Sequence, residues 1–119
     1  MPDPEKVFHI DRVGETLVIA PQGPTMDFQY NDVHLDSNSL LRVLDEPDLK
    51  NVVIDMNVVN YIDSIIISSL LRSLTKSRQL GGTGVFCCVS DAVAEILKCI
   101  QLGKLWPVFE TRDEALASM

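Results

Sequence analysis

The chain has 119 residues, a length typical of one domain, and 46% of them are hydrophobic while 23% are charged. We therefore expect a single domain over residues 1–119. The formal net charge of −7 argues against nucleic acid or an anionic membrane as the main partner. No run approaches the roughly 20 apolar residues of a membrane span, and the first ten residues lack the basic and apolar regions of a secretory signal. These features favour a cytoplasmic protein.

Two β-like runs open the chain and predict a hairpin. Val7–Val13 and Thr16–Ala20 are separated only by Gly14-Glu15, and their hydrophobic residues alternate with polar or smaller ones, as in half-buried strands. The prolines and glycine at 21–24 then break the pattern and predict a loop up to about Tyr30.

Helical patterns and short apolar runs alternate through the rest of the chain. The apolar runs, which are typical of strands in a parallel sheet, are Asn51–Met56, Val85–Val89 and Trp106–Phe109. The predicted helices run from Asn31 to Asp45, from Ser64 to Leu80, from Ser90 to Gly103, and from Thr111 onward. Ser90 is the predicted N-cap of the third helix, and Thr111 forms a capping box with Glu114 at the start of the fourth. This order predicts an α/β fold: a mixed β-sheet with an N-terminal hairpin and helices packed on it.

The helix from Ser64 to Leu80 has the clearest amphipathic pattern. Its predicted core-facing residues recur at i, i+3, i+4 and i+7 and are Ile67, Leu70, Leu71 and Leu74. Gly81-Gly82 is expected to end the helix through a left-handed residue.

Residues suited to catalysis are scarce. His9 and His34 have no serine, cysteine or carboxylate at a meaningful spacing, and the sequence has no phosphate-binding glycine motif. Cys87, Cys88 and Cys99 lack metal-ligand spacing, and the first two should point to opposite faces of their strand. We therefore expect no enzyme activity, no cofactor and no metal site, with the cysteines as ordinary buried thiols in a reducing compartment.

The informative segment runs from Asp55 to Ser64. In an open α/β sheet, strand C-termini and the helix N-termini that follow them form the functional edge. Ser64 has two interpretations: its oxygen only caps the helix, or its exposed hydroxyl is phosphorylated beside the positive helix end. Ile65 lies on the polar face of the helix beside Ser68, which suggests a contact surface.

At these residues the chain resembles the STAS domain family of bacterial anti-sigma factor antagonists and sulfate-transporter tails. The family pattern of an apolar strand ending in Asp, then D-S-[ST]-G opening a helix, reads here VVIDMNVVNYIDSII. The stretch LGGTGVFCCVSDAVAEILKCIQLGKLWPVFETRDEAL resembles the family's next strand, short helix and closing helix. GPTMD at 23–27 resembles a family loop that places Asp27 near the partner surface.

The resemblance implies a non-enzymatic partner switch. In such systems the unmodified domain binds an anti-sigma factor that is also a serine kinase, phosphorylation releases the complex, and a metal-dependent serine phosphatase reverses the modification. Carried over, Ser64 is the phosphoacceptor and Asp63 is its motif neighbour. Asp27, Asp63, Ser64, Ile65 and Ser68 then form the partner-binding set.

Three alternatives remain open at this stage. Ile65 and Ile66 stand where the family has a small residue and glycine, so the protein is alternatively a constitutive scaffold or accessory subunit, in a stressosome-like or envelope-transport assembly. A receiver domain phosphorylated on Asp55 would need an acidic pair and a lysine that the strand ends do not supply. A cysteine enzyme would need a histidine or helix N-terminus near Cys87 or Cys88.

Overall fold

The computed structural model describes residues 8–21, 30–57 and 64–119, without the side chains of residues 30–34 and 64. The elements follow the predicted order. The strands are β1 (Phe8–Val13), β2 (Thr16–Pro21), β3 (Asn51–Asp55), β4 (Gly84–Cys87) and β5 (Val108–Phe109). The helices are α1 (Tyr30–Val43), α2 (Ser64–Gln79), α3 (Asp91–Cys99) and α4 (Arg112–Ala117), with a short 3₁₀ turn at Leu102–Lys104.

The five strands form one mixed sheet in the order β1-β2-β3-β4-β5. β1 and β2 are antiparallel and joined by a tight turn in which Gly14 has a φ of 58°, while β2, β3, β4 and β5 are mutually parallel. Each parallel connection therefore carries a crossover helix. The predicted mixed sheet with its N-terminal hairpin is confirmed, and its order differs from the 2-1-3-4-5 order of receiver-type folds.

The sheet is covered on both faces, but unequally. Alternate strand residues such as Leu17, Val52 and Phe86 join residues of α1, α2 and α3 in the larger core. The intervening positions, including Val18 and Val53, meet the short helix α4 in a second cluster. This is the alternation expected of strands whose two faces are both buried.

The buried face of α2 differs from the predicted one. Leu70 and Leu74 are buried as expected, but Ile67 and Leu71 are only partly buried. The helix is turned so that Ile66 and several serines face the core; these serines are Ser69, Ser73 and Ser77.

Small side chains explain this orientation. A Cβ atom placed on Gly84 of β4 would lie 2.8 Å from Leu74 Cδ2 and 3.0 Å from Ser77 Oγ, so the glycine allows α2 to approach the sheet closely. The Ser77 hydroxyl donates to the Leu74 carbonyl (2.6 Å) within its own helix. Because such a bond satisfies the hydroxyl locally, serine can be buried in a face that its polarity would assign to solvent.

The predicted helix ends are largely confirmed where local bonds decide them. Ser90 Oγ accepts from the Val93 N–H (3.2 Å) and Thr111 Oγ accepts from the Glu114 N–H (3.1 Å), so both residues are N-caps. Gly81 is left-handed after α2, with a φ of 81°.

Several predicted elements end earlier or begin later in the structure, most clearly those after α2. The helix expected to reach Gly103 ends at Cys99, since Gln101 adopts a left-handed conformation and the 3₁₀ turn follows. β4 ends at Cys87 instead of Val89 because Cys88 is left-handed, with a φ of 59°. The last strand contains only Val108 and Phe109.

Candidate functional site

The structure describes only some of the predicted partner-binding residues. Asp27 and Asp63 lie outside the described residues. Ser64 is the first residue of α2, as predicted, although its side chain and therefore its capping bond are not described. Ile65 is 38% exposed and Ser68 is also exposed, which places both at the accessible end of the helix.

Helices α1 and α2 run side by side in the same direction. Arg72 of α2 donates to Ser37 Oγ (3.3 Å) and Asn38 Oδ1 (3.0 Å) of α1. Further along α2, Lys76 pairs with Asp45, two residues after the end of α1 (3.0 Å). The N-terminal ends of the two helices are therefore at the same end of the pair.

A second exposed hydrophobic residue lies at this end. Leu35, one turn before Asn38 on α1, is 64% exposed, and it precedes the Arg72 contacts on its helix as Ile65 does on α2. We call Leu35, Ser64, Ile65 and Ser68 the helix-end surface. Sequence reasoning missed Leu35, although on a helical wheel it falls opposite Leu40 and Leu44, which is the available signal.

The carboxyl end of β3, from which the chain continues toward Ser64, is held by an ionic cluster. The Asp55 side chain is only 7% exposed, and Arg112 Nε donates to its Oδ2 at 2.8 Å. Arg112 Nη1 also reaches Asp11 Oδ2 of β1 (3.2 Å), and the Asn57 N–H donates to Asp55 Oδ1 (2.9 Å). Asp55 was predicted at this edge, but it is a buried ion-pair partner of α4 and not a surface contact.

The adjacent cysteines lie on the same side of the sheet, contrary to the prediction. Cys87 is buried at the end of β4, and the left-handed backbone of Cys88 breaks the strand alternation, so both side chains pack with the α4 cluster. Burial, reinforced by the neighbouring Asp55 and Cys88, raises the pKa of the Cys87 thiol. Cys87 is therefore a protonated thiol at neutral pH.

Asp55, Cys87 and Cys88 have ligand atoms within 4.8 Å of one another, which is close enough for a metal ion. The chemistry of the set opposes one. Both carboxylate oxygens of Asp55 already accept hydrogen bonds, Arg112 adds a positive charge beside them, and thiols must lose their protons to bind a metal. The cluster is better explained as the structural attachment of α4 to the sheet.

The expectation of buried thiols is confirmed for Cys87 but is wrong for Cys99, which is exposed, and Cys88 is only partly buried. The three cysteines should therefore differ sharply in reactivity. Iodoacetamide at neutral pH should label exposed Cys99 first and leave buried Cys87 unlabelled in the native protein, because the thiolate is the reactive species. Peptide mass spectrometry over time measures this order, and Cys99→Ser should remove the fast phase. Rapid labelling of Cys87 would contradict its protonated, buried state and revive the cysteine-enzyme hypothesis.

None of the helices in the described ranges is long and apolar enough to cross a membrane.

The family model of the STAS domain matches residues 8–115. The chain is similar to the solved structure of an anti-sigma-factor antagonist (STAS) domain protein from Planctomyces limnophilus, at 20% identity. That alignment covers 93% of this chain and 96% of that chain, with a TM-score of 0.77.

Two further solved structures are similar to this chain. The Bacillus cell fate determinant SpoIIAA in its phosphorylated form is similar at 16% identity, covering 93% of this chain and 97% of that one, with a TM-score of 0.73. A chain of the stressosome, described as a signal integration and transduction hub, is similar at 22% identity, covering 92% and 94%, with a TM-score of 0.75. At these identities the likeness establishes the shared fold.

Proposed function

This chain belongs to the STAS domain family, and on that premise we propose that it is a non-enzymatic partner-switching module that binds an anti-sigma factor serine kinase through the helix-end surface. The observation that carries the proposal is the start of α2 at Ser64, followed by the exposed apolar side chain of Ile65. Leu35 adds a second apolar contact at the same end of the helix pair. Exposed apolar residues that share one patch are typical of a protein-binding surface.

Phosphorylation of Ser64 would control this binding. The first N–H groups of a helix lack intrahelical partners and carry partial positive charge, so a phosphate at Ser64 would be tolerated by the fold. At a docked interface the same charge would have to be desolvated, which disfavours the complex. The similarity to SpoIIAA, a protein solved in a phosphorylated form, supports this mode of regulation.

The remaining partners follow from the same mechanism. A metal-dependent serine phosphatase would remove the phosphate and restore binding. Asp63, directly before Ser64 in the chain, and Asp27 would contribute negative charge to recognition by the kinase. Release of the sigma factor would then make the protein a transcription regulator in the cytoplasm of a bacterial cell.

A second candidate function is constitutive binding in a stressosome-like or envelope-transport assembly. The two isoleucines after Ser64 have different surroundings: Ile66 is buried in the core, whereas Ile65 is exposed. Ile66 is therefore explained by packing, and only Ile65 is available to a partner. A permanent apolar contact at Ile65 would favour a scaffold without a phospho-switch.

Substitution of Ser64 separates the two functions. Ser64→Asp should weaken binding to the serine kinase recovered from the native host by more than about tenfold, because an unpaired buried charge costs several kcal/mol, while the melting temperature stays nearly unchanged. Titration calorimetry and thermal denaturation measure the two effects. Thr75→Asp adds the same charge to an exposed position further along α2 and should leave affinity unchanged.

Replacement of Ile65 tests the scaffold function. If Ser64→Asp binds as tightly as wild type while Ile65→Ser weakens binding, the phospho-switch is wrong and the constitutive contact is supported. If neither variant changes affinity, the helix-end surface is not the interface. Loss of stability in Ser64→Ala with unchanged binding would indicate that Ser64 serves only as a helix cap.

A further inference from the structure

A groove on a different part of the molecule has the composition of a ligand site. It lies between α3, the 3₁₀ turn and the edge strand β5, and it has a volume of about 330 Å³. We call it the α3–β5 groove; its lining residues are Val89, Ala94, Leu97, Lys98, Gln101, Gly103, Lys104 and Val108. Its volume falls in the range of about 300–1,000 Å³ that small-molecule sites occupy.

The interior of the groove is apolar. Leu97, which is buried as part of the larger core, and Val108 of β5, which is 42% exposed, both line it. The left-handed Gln101 ends α3, and Gly103 in the following turn has no side chain to fill the space. The groove is thus a consequence of the early helix end that the sequence did not predict.

Two positive charges border this apolar interior. Lys50 and Lys76 each pair with a carboxylate, Glu15 and Asp45 respectively. Lys98 and Lys104 have no acidic partner within residues 8–21, 30–57 and 64–119, and Lys104 donates only to the Gln101 side chain at 3.4 Å. In a chain with a net charge of −7, two lysines without carboxylates beside one apolar groove provide charge complementarity for an anion.

We propose that the α3–β5 groove binds a small amphipathic anion, an alkyl chain carrying a single carboxylate or phosphate headgroup. The alkyl chain would displace water from the apolar side chains of the groove, and the headgroup would meet the ammonium groups of Lys98 and Lys104. An added peptide strand fits less well, because β5 offers an edge of only two residues. The proposal does not depend on the helix-end surface.

Titration of the ¹⁵N-labelled full chain with four probes tests the proposal. Octanoate and octyl phosphate carry both features, 1-octanol lacks the charge, and acetate lacks the chain. Either amphiphile should produce saturable amide shifts centred on Leu97, Gln101 and Val108, whereas acetate should produce none and octanol should bind more weakly. The tighter of the two amphiphiles identifies the headgroup.

Variants of the lysines make the test decisive. Lys98→Gln and Lys104→Gln should each weaken amphiphile binding about two- to fivefold, the effect of an exposed charge, and should leave octanol binding unchanged. Lys50→Gln, whose lysine already pairs with Glu15, is the matched control and should have no effect. Equal affinity for octanol and octanoate, unchanged affinity in both lysine variants, or shifts centred elsewhere would each overturn the proposal.

Discussion

Leu74→Ala should lower the free energy of unfolding by about 2–5 kcal/mol. Leu74 is fully buried where α2 approaches β4 most closely, beside Gly84. The cost combines lost hydrophobic burial with the cavity left by the removed atoms, because the tightly packed surroundings relax only in part. Alanine has the highest helix propensity, so the loss would not come from the helix itself. Urea denaturation followed by circular dichroism measures the change.

Leu71→Ala is the matched control, since it makes the same chemical change three residues earlier on the same helix. Leu71 is only partly buried and lines the shallow groove between α1 and α2, where water can occupy the vacated space. Its loss should be less than half of that for Leu74. Equal effects would mean that α2 faces the core through the stripe predicted from its hydrophobic periodicity and not through the observed one.

Arg112→Met should destabilise the protein by about 2–3 kcal/mol. The substitution leaves the Asp55 carboxylate buried without its guanidinium partner, and breaking a buried ion pair costs about 3–5 kcal/mol. We expect a smaller value because the Arg112 side chain is 36% exposed, so water can reach part of the vacated site. The methionine retains much of the apolar contact of the arginine stem. Chemical denaturation at neutral pH measures the loss.

Two further variants isolate the buried part of this cluster. Asp11→Asn removes the more exposed contact of Arg112, together with the surface contact of Asp11 with His9, and should cost less than about 1 kcal/mol. In the double variant Asp55→Asn with Arg112→Met no buried charge remains, so it should be more stable than the sum of the two single losses implies. Additive losses would show that Asp55 and Arg112 do not depend on each other.

The Asp55–Arg112 pair also matters for the proposed function. Asp55 ends β3, and Ser64 begins α2 nine positions later in the chain, so the pair anchors one end of the connection that leads to the helix-end surface. The proposed partner-binding surface is therefore connected to a strand end that α4 holds through this ion pair. Asp55, predicted at the functional edge of the sheet, thus has an anchoring role there.

Much of the architecture could be predicted because it depends on local chemistry. The order of strands and helices follows from hydrophobic periodicity, because a period of two residues buries one face of a strand whereas a period of about 3.6 residues buries one face of a helix. The Ser90 and Thr111 caps were predicted because each bond joins residues three positions apart. The start of α2 at Ser64 and the exposure of Ile65 could be predicted from the sequence for the same reason, because neighbours within one helical turn decide them.

The remaining features depend on contacts between distant residues. Asp55 and Arg112 are 57 positions apart, and no pattern along the chain relates them. Which face of α2 is buried depends on Gly84 of a neighbouring strand, since periodicity counts hydrophobic residues and does not register that small serines permit closer packing. The sequence alone thus determined the elements and the position of the candidate switch. Only the tertiary structure decided which side chains meet, because burial and charge pairing arise when separate elements pack together.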